Sequence, residues 1–267
     1  GKVKRYTNAS LVMEKALSWL SEAPQSKRPF FMWLHFIDPH GPYTPPEAFG
    51  NYFVGDHPVE PISAASIPGY QRQKDPASGE VICDLGFYRV QYDREIRYLD
   101  AELGRLFEWL GNSPHAGNNL MVLSADHGES LGEHNYFLGH GKLPYQPCAH
   151  IPLIIAYPGF LPGGSARHSP VGLIDVSSTI LEMAGIKIPD TFEGKSLVEL
   201  IRGNDLETGP GYVFMESGRD RNLPQQTVRH GEWKLIRVLS REDKVLMKGG
   251  DLELYDISSD PKEGSNL

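Results

Sequence analysis

Residues 124–142 contain most of the side chains in this chain whose types and spacing could perform chemistry. Asp126 stands next to His127, and the segment ends with His140 and Lys142 on either side of a glycine. A carboxylate beside an imidazole is a workable pair of ligands for a divalent metal ion. A lysine near such an ion suits an anionic ester, because the charge that develops on the transferred group needs fixed cations. The segment therefore predicts an active-site loop.

A second polar cluster, residues 38–43, contains His40. Its prolines exclude regular secondary structure, and residues 29–37 before it form an aromatic-rich run that is typical of a strand. Residues 47–82, which are rich in Pro, Gly and Ser, predict a long surface excursion that shapes substrate access. A second strand is thus expected to deliver a second polar loop.

The elements that must position these clusters alternate between strands and helices. Residues 119–123 predict a buried strand of a parallel sheet, so the polar loop after it should lie at its carboxyl end, where ligands bind in open α/β sheets. A helix is predicted over residues 7–22, capped by Thr7 or Asn8. A second helix is predicted from an apolar stripe spaced 4-3-4-3-4, which consists of Tyr92, Ile96, Leu99, Leu103, Leu106 and Leu110.

The pattern changes after residue 203. Strands without intervening helices are predicted at residues 212–216, 227–229, 233–238 and 252–255. The sequence therefore predicts an α/β fold in two parts. An α/β domain with a layered sheet and flanking helices spans residues 1–203, and a small antiparallel sheet subdomain spans residues 204–267.

The composition excludes several other classes of protein. A net charge of −8 provides no basic surface, so we expect no nucleic-acid partner. No apolar run approaches the roughly 20 residues that span a bilayer, so we expect no membrane span in this chain. Cys83 and Cys148 are too few and too far apart to predict a disulfide framework or a zinc knuckle.

These residues together resemble the sulfatases of the alkaline phosphatase-like superfamily. The resemblance rests on motifs that run in family order, at residues 38–43, 126–133, 139–142, 151–154, 233–236, 253–261 and 266–267. An isolated Asp-His-Gly would be a weak signal, whereas this ordered set covers nearly the whole chain and is specific. The resemblance implies an alkaline phosphatase-like layered sheet and hydrolysis of sulfate esters, of small molecules or of a sulfated glycan.

The resemblance also implies roles for five residues. Asp126 and His127 match a pair of ligands for a divalent metal, usually Ca2+, with Zn2+ or Mn2+ as alternatives. His40 matches a catalytic histidine that contacts the sulfate or the leaving oxygen, and Lys142 matches a catalytic lysine that binds the sulfate group. His140 is a further candidate for substrate binding, although many sulfatases lack a histidine there.

One departure from the family pattern concerns the nucleophile. Sulfatases use formylglycine, made from the cysteine of a Cys-x-Pro-Ser-Arg motif near the N-terminus, together with an Asp-Asp pair that completes the metal site. Neither motif occurs in these 267 residues, and neither Cys83 nor Cys148 has the required neighbours. We therefore expect the chain to be the C-terminal part of an enzyme, inactive without a missing N-terminal segment of the same protein. The resemblance favours a periplasmic, extracellular or lysosomal location, while the sequence itself leaves the compartment open.

Two other interpretations stay open. The first is a phosphoryl-transfer enzyme of the same superfamily, which is either a phosphoethanolamine transferase or a phosphonate monoester or phosphodiester hydrolase. Phosphoethanolamine transferases have a similar metal-binding motif and a histidine comparable to His140, and they use zinc and a threonine nucleophile. Lys142, the form of the motif around His40 and the C-terminal ending favour sulfatases instead. An interpretation of another class is a non-catalytic, sulfatase-like binding module, in which the metal ligands need not function.

Overall fold

The structure is a computed structural model that describes residues 8–22, 29–113, 116–203, 211–218, 224–238 and 252–267. Its contacts divide the chain into two units, Gly1–Ala116 and Gly117–Leu267. The division at residue 203 expected from the sequence stays a prediction. None of the helices among the described residues combines the length and the apolar composition that a membrane span requires.

Two packed helices form the framework of the first unit. Helix α1 spans Ala9–Glu22 and helix α2 spans Leu85–Asn112. Asn8 caps α1, because its side-chain oxygen accepts a hydrogen bond from the backbone nitrogen of Leu11 at 3.1 Å. Thr7, the other predicted cap, lies outside the described residues. The buried face of α1 consists of Ala9, Met13, Ala16 and Leu20.

Helix α2 exists as predicted, but its buried face differs from the predicted apolar stripe. Ile96, which belongs to that stripe, is 44% exposed, whereas Glu95 and Tyr98 are only 4% exposed. Tyr98 faces the start of α1, where its hydroxyl accepts a hydrogen bond from the backbone nitrogen of Ser10 at 2.8 Å. The inward face of α2 is therefore partly polar, since the helix packs against backbone and polar groups.

The strand predicted over residues 29–37 is wrong for this structure, which has no regular element there. Phe31 is 75% exposed and Trp33 is 78% exposed. Aromatic and β-branched residues fit a pleated surface only when another strand supplies it. No described strand pairs with these residues, so their composition alone does not produce a strand.

The second unit begins with two small antiparallel pairs and three short helices. Its elements before residue 204 are β1 Met121–Ser124, β2 Ser130–Leu131, β3 Phe137–Gly139, α3 Gln146–Ala149, β4 Leu153–Ala156, α4 Ile174–Met183 and α5 Val198–Arg202. Strand β1 pairs with β4, and β2 pairs with β3. The prediction of a buried, parallel strand before the polar loop was wrong in both respects. Strand β1 runs antiparallel to β4 and is half-buried, because among the described strands β4 is its only neighbour.

A four-stranded antiparallel sheet completes the second unit and confirms the predicted C-terminal sheet. Its strands are β5 Tyr212–Ser217, β6 Gln225–His230, β7 Trp233–Val238 and β8 Leu252–Asp256, in that spatial order. Side chains on its inner face pack against the residues that follow Lys142, in a core of Leu143, Tyr145, Ile236, Tyr255 and Ile257. The fold is therefore mixed α/β with a C-terminal antiparallel sheet, as the sequence predicts.

Candidate active site

Asp126 and His127 lie just after β1, at the exposed start of the polar loop. The side chain of Asp126 is 82% exposed, and one of its oxygens lies 3.6 Å from Nε2 of His127. The Nδ1–H of His127 donates to the carbonyl oxygen of Gly128 at 2.9 Å. That hydrogen bond fixes the tautomer of the neutral ring, so Nε2 carries the lone pair on the side of the Asp126 carboxylate.

His140 lies directly against this pair. Its ring stacks on that of His127, with centroids 3.8 Å apart and planes at 20°. Nδ1 of His140 lies 3.3 Å from a carboxylate oxygen of Glu129, whose side chain is 5% exposed. Because a carboxylate can only accept there, Nδ1 of His140 is the donor and Nε2 is directed away from Glu129. The buried carboxylate thus orients a second imidazole within the same loop.

The backbone between the two imidazoles is folded tightly. His134, Asn135 and Leu138 have φ values of 54°, 58° and 50°, in the left-handed region that residues with side chains seldom adopt. Ser130 supports this hairpin by donating to the carbonyl oxygen of Tyr136 at 2.7 Å. Such conformations persist where surrounding contacts determine them, and they are common at functional sites.

Gly128 is required for the path of the polar loop. A Cβ atom at this position would lie 2.1 Å from the carbonyl oxygen of Pro147. The amide of Gly128 also donates to the carbonyl oxygen of Cys148 at 2.8 Å. This close approach of two backbones holds the residues that directly follow Asp126 and His127.

Lys142 is exposed, but the backbone around it is held. The three residues after it, Leu143, Pro144 and Tyr145, are buried. Its carbonyl oxygen accepts a hydrogen bond from the hydroxyl of Ser217 at 3.2 Å. The structure thus presents Lys142 two residues after His140, at the edge of the core of the second unit.

His40 lies in the first unit, in the proline-rich segment that the sequence predicts to be irregular. The peptide bonds before Pro39 and Pro42 are cis. The Nδ1–H of His40 donates to the carbonyl oxygen of Gly41 at 2.7 Å. His40 therefore has the same tautomer as His127, with Nε2 directed away from its own backbone.

The excursion over residues 47–82 contacts this segment. Tyr70 stacks near His40, with ring centroids 6.1 Å apart. Gln73 donates to the carbonyl oxygen of Tyr43 at 2.6 Å. The excursion therefore contacts the segment that carries His40, while its expected role in substrate access stays a prediction.

The donor set in the second unit fits part of a metal site. Among the described residues, no group of three or more His, Cys, Asp or Glu side chains is arranged to hold a metal ion. Asp126 and His127 alone offer an oxygen and a nitrogen lone pair on one side of the loop. They fit two positions of a coordination sphere, which leaves further ligands to be supplied by other groups.

Cys148 cannot serve as a nucleophile in this site. It is buried, and the pKa of its thiol is raised to about 12. Burial is the larger cause, and the nearby charge of Glu129 is the second. The reactive form of cysteine is the thiolate, so this side chain is inert at neutral pH.

Comparison with known protein families decides the membership of this chain. The model of the family described as Sulfatase matches residues 4–186. The chain belongs to the sulfatase family. A second model, described as N-sulphoglucosamine sulphohydrolase, C-terminal, matches residues 132–267 of this sulfatase-family chain.

Relatives and solved structures agree with that membership. The chain is 27% identical to an arylsulfatase of Clostridium perfringens over 96% of its own length and 52% of the relative's. It thus spans about half the length of the curated relatives it matches. A protein solved in complex with its substrate D-glucosamine-2-N,6-O-disulfate is 19% identical, with a TM-score of 0.74 over 97% of this chain and 64% of that one. The phosphonate monoester hydrolase of Agrobacterium radiobacter is 22% identical and also has a TM-score of 0.74, over 97% of this chain and 56% of that one. Both structures show the shared fold.

Two supporting features of this sulfatase-family chain were visible in the sequence only as parts of motifs. Glu129 belongs to the motif at residues 126–133, and its carboxylate orients His140. Lys234 was recognised only as part of a motif, yet its side chain is fully buried beneath the segment after Lys142. A signal for Lys234 was visible, because it alternates with exposed residues and shares the inward face of β7 with Ile236.

Proposed function

We propose that the protein is a metal-dependent sulfatase that hydrolyses sulfate esters and that these residues supply part of its active site. The observation that carries the proposal is the cluster of the second unit. There, Asp126 and His127 form a metal-ligand pair against which His140 stacks. Lys142 follows two residues later, in a chain of the sulfatase family.

Asp126 and His127 would hold the metal ion. When bound, the ion supplies positive charge that stabilises a developing negative charge on the sulfate oxygens. The family resemblance favours Ca2+, whereas the imidazole ligand is also well suited to Zn2+ and the carboxylate to Mn2+. The fixed tautomer of His127 keeps Nε2 unprotonated when the ring is neutral, which is the form that a metal ligand requires.

His40 would protonate the departing alcohol. In the imidazolium form, Nδ1–H stays on the carbonyl oxygen of Gly41 while Nε2–H is given to the leaving oxygen. The neutral ring that remains has its proton on Nδ1, so it keeps the same hydrogen bond and the same orientation. General acid catalysis of this kind contributes about 10²- to 10⁴-fold to a rate.

Lys142 and His140 would bind the sulfate group. An ammonium is a strong point charge with three donors, which suits the oxygens of a tetrahedral anion. His140 can contribute through Nε2, since Glu129 engages its other nitrogen. The Lys142 ammonium, the metal and, in its imidazolium form, His140 would thus surround the transferred group where negative charge develops.

The nucleophile is not among these 267 residues. The family resemblance assigns that role to a formylglycine in an N-terminal segment, within a motif that this sequence lacks. We therefore propose that these residues alone do not turn over sulfate esters. Clear hydrolysis of an aryl sulfate by the isolated chain would contradict this.

A sulfated glycan is the proposed substrate class. It is supported by the match to the family model described as N-sulphoglucosamine sulphohydrolase, C-terminal, and by the fold shared with a protein that binds a disulfated glucosamine. A panel of sulfated mono- and disaccharides, compared with a simple aryl sulfate, would measure the preference. Equal kcat/KM values for all of these esters would contradict selection for a sugar.

The test of the reaction uses the full-length enzyme, produced in a host that makes formylglycine. We expect turnover of aryl sulfates and its loss in Asp126→Ala and Lys142→Ala. Asp190→Ala and Lys187→Ala are matched controls, because both side chains are more than 80% exposed and form only a surface pair at 4.0 Å. Metal content per protein, measured after dialysis, should fall in Asp126→Ala and remain unchanged in Lys142→Ala.

Two outcomes would favour the other interpretations. The fold shared with a phosphonate monoester hydrolase makes phosphonate esters the necessary comparison. Turnover of those esters without turnover of sulfates would replace the sulfatase assignment. Ligand binding without turnover, unchanged in Asp126→Ala, would favour a binding module.

A further inference from the structure

The backbone that carries His140 and Lys142 is held at three successive carbonyl oxygens. Each of them accepts a hydrogen bond. The hydroxyl of Tyr136 donates to the carbonyl oxygen of His140 at 2.5 Å. The amide of Gly218 donates to that of Gly141 at 3.3 Å, and the hydroxyl of Ser217 donates to that of Lys142 at 3.2 Å. Two of the three donors lie at the end of β5, so the C-terminal sheet contacts the candidate anion-binding segment directly.

A buried ion pair holds the next residues of the same segment. Nζ of Lys234 lies 2.5 Å from a carboxylate oxygen of Glu263, and both side chains are 0% exposed. Lys234 also donates to the carbonyl oxygen of Pro144 at 2.7 Å. The second carboxylate oxygen of Glu263 accepts from the backbone nitrogen of Gln146 at 2.6 Å. Each charged partner therefore bonds the backbone within four residues of Lys142.

General stability is a poor explanation for this ion pair. Burying two charges costs solvation, and well-packed apolar residues in the same places are often equally stable or more stable. Ile236 shows that the inward face of β7 accepts an apolar side chain, since it is 0% exposed. An apolar side chain, however, cannot bond the carbonyl of Pro144 or the amide of Gln146. What the ion pair adds is a fixed position for this backbone.

The backbone of Glu263 is itself constrained. Its φ of 54° lies in the left-handed region, which is uncommon for a residue with a side chain. Its amide donates to the carbonyl oxygen of Asp260 at 3.1 Å. The C-terminal turn thus directs the Glu263 carboxylate inward to meet Lys234.

We propose that Lys234 and Glu263 are positioning residues of the anion site, which fix the 140–146 segment so that Lys142 and His140 face the sulfate group. This inference rests on the proposed role of Lys142 in sulfate binding. Neither residue touches the substrate, and both act through the backbone. Small displacements of a binding group weaken catalysis strongly, so the effect should appear in anion affinity and turnover.

The test compares single and double variants of the full-length enzyme. Lys234→Met leaves a buried, unpaired carboxylate and is expected to destabilise the protein strongly. The double variant Lys234→Met/Glu263→Leu removes both charges and should recover most of that stability, but it cannot restore the two backbone contacts. Arg237→Met is the matched control, because it removes a cation from the outward face of the same strand.

We expect the double variant to unfold at a clearly higher temperature than Lys234→Met, while its inhibition constant for inorganic sulfate rises at least about tenfold over wild type and kcat/KM falls. The metal content of the double variant should equal that of wild type. Hydrogen exchange of a peptide over residues 140–146 should be at least about tenfold faster than in wild type, because the segment opens more readily. Arg237→Met should match wild type in all of these measurements.

Two failures can be told apart. A wild-type enzyme that hydrolyses no sulfate ester contradicts the proposed function, and the exchange measurement still tests the positioning. An active wild type, with a stable double variant that has unchanged sulfate inhibition and unchanged exchange over residues 140–146, overturns the inference.

Discussion

Glu95 is a buried acid beneath the segment that carries His40, and its titration gives a quantitative prediction. Its carboxyl group lies beside that of Asp38, and the backbone of Thr44 donates to it. One oxygen of each carboxyl group is buried without a hydrogen-bond partner among the described residues. Burial, and after it the charge of Asp38, raises the pKa of Glu95 from 4.5 to about 7. Burial also raises the pKa of Asp38.

The sign of the pH dependence follows from the raised pKa. The folded protein keeps a proton on Glu95 that the unfolded chain releases near pH 4.5, so the stabilising contribution is complete below that pH and is lost as the pH rises through about 7. At about 1.4 kcal/mol per pH unit, the difference corresponds to about 3 kcal/mol of unfolding free energy. This free energy refers to the proton on Glu95.

Glu95→Gln should remove this dependence. The amide keeps the size and the hydrogen-bonding capacity of the protonated acid but has no charge to bury. Urea unfolding at pH 4, 5, 6, 7 and 8 should show wild type losing about 3 kcal/mol over the range, apart from the changes that the two proteins share. The variant should equal wild type at pH 4 and exceed it at pH 8. Glu108→Gln, at an exposed position of α2, is the control, and wild-type and Glu95→Gln curves that run parallel would refute the reasoning.

Two further changes test other contacts. Gly128→Ala places a Cβ 2.1 Å from the carbonyl oxygen of Pro147, so it should lower the unfolding free energy by about 1–3 kcal/mol and reduce metal content. Gly104→Ala adds a methyl group that has no neighbouring atom within 4 Å in α2. It should instead raise the unfolding free energy by up to about 1 kcal/mol. Tyr255→Phe removes the hydroxyl that donates to Glu253 at 2.7 Å and should lower the urea midpoint by an amount equivalent to about 1–3 kcal/mol. An unchanged midpoint in either destabilising variant would contradict the contact it tests.

The existence of α2 could be predicted from sequence, but its first turns and its buried face could not. A leucine stripe shows that a segment can form an amphipathic helix. Which side is buried depends on the neighbouring elements, and here these are the start of α1 and the backbone of Thr44. Both neighbours offer backbone amides, so Glu95 and Tyr98 face inward, although a glutamate is mostly exposed in folded proteins.

The strands show a similar division between local and non-local information. The C-terminal sheet was predicted because its strands follow one another along the chain with short alternating patterns. Local patterns could not decide whether residues 29–37 form a strand or which strand pairs with β1. A strand needs a partner, and for β1 the partner is β4, about 30 residues later.

The same reasoning explains which part of the candidate site the sequence revealed. Asp126, His127 and Lys142 stand within one short segment, so their residue types and spacing are visible together. The residues that hold this segment are remote, as Lys234 is 90 positions from Pro144. A lysine on the inward face of a strand does indicate a buried partner, because an unpaired buried ammonium is too costly. Its partner could not be named, since Glu263 reaches it only through a left-handed turn that no local pattern specifies. Chemistry carried by neighbouring residues can thus be found in sequence, whereas the contacts that position it depend on tertiary structure.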